Sequence, residues 1–198
     1  MNLGKSFSDS WNIFTKNFIT IVLAMIVATL LSFVTIFILA VPLFIGFQMM
    51  LVKGLRGEKV EFNEIFGPMK DYFKLVGAAF WIGIAEVAVL LPGSLCIYLN
   101  WLIVGGILIL VGIIADIYMW VTWMFTLLLL NDKGLTIKQG LKASRDLVLK
   151  NNFWMHLLLI ILVGILTQIG NMLWLIGALL TTPIAIGAVA AAYVEETK

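Results

Sequence analysis

The chain has 198 residues; 62% are hydrophobic and 12% charged, with one cysteine and one histidine. A soluble domain is nearer half apolar and about a quarter charged, so the composition excludes a soluble enzyme, a nucleic-acid-binding domain and a disordered chain. What remains is an all-α integral membrane protein, and the lone Cys96 and His156 leave neither a disulfide framework nor a cysteine- or histidine-rich metal centre.

Residues 3–18 place Leu3, Phe7, Trp11, Phe14 and Phe18 at three- and four-residue spacings. That stripe predicts an amphipathic helix lying on the membrane surface, with Ser6 as its N-cap. The segment lacks the form of a cleaved signal peptide, so Met1 is expected to start the mature chain. Residue 2 is Asn2 rather than glycine, which leaves no myristoylation signal. Residues 18–52 carry no charge. At helical rise they would extend about 50 Å, too far for one crossing of a hydrocarbon core about 30 Å thick. Pro42 supplies the break, giving spans at 19–39 and 41–56. A charged segment over 53–73 holds a second amphipathic stripe (Phe62, Ile65, Phe66, Met69, Tyr72, Phe73), bent at Gly67-Pro68. A third span is expected over 74–92, ended by Pro92-Gly93, and a fourth over 104–130. Thr136 and Gln139 fit a capping box that opens a third amphipathic helix. Spans over 153–172 and 174–194, the latter containing Pro183, complete a single transmembrane domain over 1–198 with about six crossings. Pro42, Pro92 and Pro183 are the expected helix kinks.

Lys and Arg occur in residues 1–16, 53–74 and 133–150 and at Lys198. The segments around Pro42, Pro92 to Trp101 and Gly170 to Leu175 have none. The positive-inside rule then puts both termini and both charged loops of this multi-pass chain in the cytoplasm. Anionic lipid headgroups are expected partners of that basic face. Nucleic acid is not an expected partner; a second copy or another membrane protein is.

The two ends of the chain resemble each other. Ser10 to Asn17 lines up with Ser144 to Asn151, and Pro42-Leu43-Phe44-Ile45-Gly46 with Pro183-Ile184-Ala185-Ile186-Gly187. Each copy reads as surface helix, outward span and returning span. The middle third repeats the layout, giving repeat-like units 1–57, 58–134 and 135–198. All three start on one side, so the repeats are parallel rather than inverted, which lowers the case for an inverted-repeat transporter.

Two carboxylates sit within spans, Glu86 and Asp116, both near mid-membrane on adjacent helices. Intramembrane carboxyls are functional candidates by default. Two readings stand: a proton- or cation-binding pair in a transport path, or carboxyls tying helices together, with Tyr118, Thr122, Thr126, Gln168 and Asn171 as polar partners. His156, beside Phe153 and Trp154, reads as an interfacial histidine. No nucleophile, metal or phosphate-binding motif is visible, so neither enzymatic activity nor a metal or cofactor is expected. Small residues from Gly187 to Ala192 permit close packing of the last span.

Several short motifs recur together: Ser10-Trp11-Asn12 before Lys16-Asn17, Pro42-Leu43 with Gly46, Lys53-Gly54 with Arg56-Gly57-Glu58, and Phe66 with Tyr72-Phe73. Leu90-Leu91-Pro92-Gly93 and Gly140 to Arg145 belong to the same set. In these the chain resembles an uncharacterised six-span prokaryotic membrane family that includes the membrane domains attached to some glycerophosphodiester phosphodiesterases. The resemblance implies a helical cytoplasmic-membrane protein linked to envelope or lipid biology. The sequence holds no phosphodiesterase domain, so that activity is not implied. The expected function is a non-enzymatic, lipid-associated, scaffolding or regulatory bundle. The alternative is a small transporter or channel for an ion, lipid or amphiphile.

Overall fold

The computed structural model describes residues 2–197; the expected start at Met1 and the basic Lys198 lie outside the described residues. Local rules set most of the element boundaries. Helix α1 (Leu3–Lys16) is capped by Asn2, whose side chain accepts from the Lys5 backbone N–H. The expected cap Ser6 sits inside the first turns and donates back to the Asn2 carbonyl at 3.1 Å. At Asn17 the chain turns by 93° into α2 (Phe18–Val34), the geometry of a surface helix feeding a span. A turn at residues 35–39, with Ile36 and Phe37 at φ 50° and 62°, leads into α3 (Ala40–Leu55). Pro42 therefore occupies the first turn of α3, where a missing N–H costs nothing, and the break comes before it.

A 3-10 segment (Phe62–Asp71) precedes α4 (Tyr72–Tyr98), which runs through Pro92 instead of ending there. Gly93 serves a helix crossing: a side chain on it would strike the Ile109 backbone of α5 (Leu102–Thr122), and one on Gly105 would strike Ile97. The expected fourth span is broken at residues 123–125, after which α6 (Thr126–Asp132) finishes it. Ser144, from α7 (Ile137–Lys150), bridges the break: its Oγ donates to the Thr122 carbonyl at 2.7 Å and accepts from the Phe125 N–H at 3.2 Å. The Thr136–Gln139 capping box opens α7 as expected. Helices α8 (Phe153–Met172) and α9 (Trp174–Glu196) follow, and α9 runs through Pro183.

The result is an all-helical bundle. Four stretches are long and apolar enough to cross a membrane, or five if α1 and α2 form one bent span; α3 is apolar but shorter. The expected six crossings fall short on these criteria because the turn at 35–39 trims both α2 and α3.

Three hairpins, α2–α3, α4–α5 and α8–α9, converge at the end that carries the charged segments. There the returning helices bury Met50 and Val52, Leu128 and Leu130, and Ala192 and Tyr193. At the opposite end Phe33, Ile36, Tyr98, Trp101, Met172 and Trp174 are exposed. Each amphipathic element lies on the returning helix of a different hairpin: α1 on α9, the 3-10 segment on α3, and α7 on α5 and α6. Close approach explains the first two contacts. Ser10 donates to the Ile184 carbonyl at 2.7 Å against Gly187, and the Ile65 backbone sits where a Gly46 side chain would be. The face of α1 turned to the protein is therefore Ser6, Ser10, Ile13 and Phe14, while Trp11 points outward.

Candidate functional site

A cleft of about 500 Å³ opens between the α4–α5 hairpin and α8. Helical spacing builds its longest wall: Ile160, Val163 and Gly164, Thr167 and Gln168, and Asn171 recur every three or four residues along one face of α8. Helix α4 contributes Ile82 and Glu86, one turn apart, and α5 contributes Trp120. The break at 123–125 turns Trp123 and Met124 into the same space, with Leu127 of α6 and Val189 of α9 beneath them.

The structure thus brings together Glu86, Gln168 and Asn171. Asp116 is not on the cleft wall. It is close enough to Glu86 for their charges to interact, and its Oδ1 is buried without a hydrogen-bond partner among the described residues. Tyr118 and Thr122 are engaged elsewhere. The Tyr118 ring stacks on Phe153, with centroids 5.7 Å apart, and Thr122 donates to the Tyr118 carbonyl of its own helix at 2.8 Å. Thr126 Oγ1 is buried and unpartnered among the described residues. Of the three prolines expected as kinks, Pro92 and Pro183 lie within helices and Pro42 in a first turn; none lines this cleft. A second, almost wholly apolar cleft of about 410 Å³ lies between α2, α3 and α9 and shares Leu127 with the first.

Two polar clusters at the charged end escaped the sequence. Arg56, just after α3, forms a paired contact with Asp132 at the end of α6 (Nη1 to Oδ1 2.8 Å, Nη2 to Oδ2 2.7 Å), and Tyr193 of α9 donates to the same carboxylate at 2.6 Å. These hydrogen bonds hold the Arg56 guanidinium above its ordinary range. His156 is fully buried against protein in the first turn of α8: Nδ1 lies 3.0 Å from the Asn152 carbonyl and Nε2 2.9 Å from Glu196. The side chains paired in each cluster are 40 or more residues apart, so no local pattern announces them. Among the described residues, no three His, Cys, Asp or Glu side chains gather as a metal-ligand set.

Compared with family models, curated proteins and solved structures, the chain matches none.

Proposed function

We propose that the chain is a non-enzymatic, lipid-associated membrane protein whose cleft between α4–α5 and α8 holds an amphiphile. One observation carries this reading: the cleft is graded along the helices that wall it. Glu86 and Gln168 lie about 20 Å along their helices from the charged end, and Asn171 one turn further, by helical rise. Ile160 and Leu127 lie only about 10 Å from that end by the same measure. An apolar tail would occupy the deep part and a polar group the outer part, the arrangement of small-molecule sites lined mostly by apolar residues with a few placed polar ones. The packed core beneath favours a pocket over a through-path. A transporter or channel is the second reading. It is favoured by one carboxyl in a cavity, Glu86, and by Leu127 as the shared wall between two clefts. The family resemblance and the placement in a prokaryotic cytoplasmic membrane, with basic segments and both termini inside and drawn to anionic headgroups, belong to the same proposal.

Gly164 gives the test. It faces the cleft, and a Cβ added there meets nothing within 4 Å. Gly164→Phe is expected to fold and to fill the cleft, removing lipid that copurifies with the wild type in native mass spectrometry. Unchanged bound lipid would refute the reading. Orientation is checked separately in a Cys96→Ser background: Ser8→Cys should label only after permeabilisation, and Tyr98→Cys from outside.

A further inference from the structure

Resting on the amphiphile reading above, the chemistry of the outer part of the cleft specifies the ligand's polar end. Among the described residues, Glu86 is the one charged residue on the cleft wall, and no Lys, Arg or His shares that wall. The second carboxyl, Asp116, lies near enough to interact with Glu86 and brings no basic group with it. Between Lys74 and Lys133 the sequence contains no basic residue, and Lys74, at the start of α4 and about 18 Å along that helix from Glu86, donates to the Leu130 carbonyl instead. The remaining polar wall is Thr167, Gln168 and Asn171, whose side-chain oxygens accept hydrogen bonds. The indoles of Trp120 and Trp123 line the same space, and an indole face attracts cations. The carboxylate and the indole faces favour a cation, while the amides, which donate as well as accept, can serve either charge. A phosphate or carboxylate headgroup without a cation would face like charge, and a neutral headgroup would leave the carboxyl without a partner in a poorly solvated site.

We infer that this cleft selects an amphiphile whose polar end carries an ammonium group. Two sources offer that chemistry, an aminolipid of the bilayer and a free alkylammonium, and the experiment separates them.

Purified protein in detergent is mixed with equimolar phosphatidylethanolamine, phosphatidylcholine and phosphatidylglycerol of identical chains, and the bound species are counted by native mass spectrometry. The two ammonium-bearing lipids are expected to exceed the glycerol lipid by about tenfold, a difference of about 1.4 kcal/mol. Preference for the primary over the quaternary amine would assign the selection to Glu86 and the amides; parity between them would assign it to Trp120 and Trp123. Glu86→Gln should cut the preference to threefold or less while total bound lipid persists, and Glu86→Asp should keep it. In the second arm dodecylammonium, but not dodecanol, should displace the bound lipid. Dodecylammonium binding without aminolipid binding would place the source outside the bilayer. Equal retention of all three lipids by the wild type overturns the headgroup inference. If Gly164→Phe still strips that lipid, the amphiphile reading survives the loss; if it does not, that reading fails as well.

Discussion

Asp132 joins the ends of all three returning helices through one carboxylate. Its side chain is 12% exposed and that of Arg56 31%, so water screens the pair only in part. Asparagine at 132 would remove the charge and leave the guanidinium without its planar, two-pronged partner. Asp132→Asn is expected to cost about 1–3 kcal/mol of stability, read as a lower thermal midpoint in detergent. Tyr193→Phe, which removes a single hydrogen bond, should cost about 1 kcal/mol. His156 supports a sharper contrast. The Asn152 carbonyl can only accept, so Nδ1 carries a hydrogen, and one proton must bridge Nε2 and the Glu196 carboxylate. Glutamine at 196 can still donate to Nε2, whereas alanine leaves a buried imidazole nitrogen unpaired. Glu196→Ala is therefore expected to lower the midpoint clearly more than Glu196→Gln; equal losses would contradict the bridge. The sequence exposed Glu86 as a candidate because a charge in an apolar run stands out on its own. It hid Asp132 and Glu196, which sit among ordinary charged-end residues and gain meaning only from partners far along the chain.

At the scale of elements, the break in the expected fourth span shows why some boundaries are legible and others are not. The capping box at Thr136 and Gln139 and the caps at Asn2 and Asn152 act within a few residues and leave a local signature, although Asn2 rather than Ser6 does the capping at the first. Residues 123–125 contain neither proline nor glycine, and the hydrogen bonds lost there are restored by Ser144 from another helix. Pro92-Gly93 misleads in the opposite sense. It looks like a stop, yet the helix continues because Gly93 is needed for close contact with α5. Ser144→Ala would strand the Thr122 carbonyl and the Phe125 N–H in the core, and should cost about 2–4 kcal/mol. Glycine substitutions test the crossings: Gly46→Ala should be strongly destabilising because the Ile65 backbone cannot move aside. Gly164→Ala, with open space around it, should be neutral or stabilising by up to about 1 kcal/mol.

For the whole molecule, the packing order closes on itself: the surface element of each hairpin unit lies on the returning helix of another. Ser10 and Ser144, paired in the sequence alignment of the two ends, both donate to a carbonyl of a returning helix, at 2.7 Å in each case. Gly46 and Gly187, paired in the same alignment, both receive a surface element. These likenesses support the proposal that units 1–57, 58–134 and 135–198 descend from one hairpin unit. The middle copy would have replaced the glycine crossing with a helix break, which would explain its weak sequence match. In such a ring α1 acts as the clasp on α9, held by the Ser10 bond and by the Asn2 N–H to Glu195 at 3.3 Å. Gly187→Leu should push α1 off α9 without touching the cleft, since Gly187 lies on the opposite approach from Val189. Local opening exposes a helix to proteolysis in proportion to its population, so trypsin should cut after Lys5 and Lys16 at least about tenfold faster than in the wild type. Bound lipid in the cleft should be unchanged. Faster cleavage with loss of that lipid would mean that the clasp and the cleft form one cooperative unit, not a ring of separable contacts.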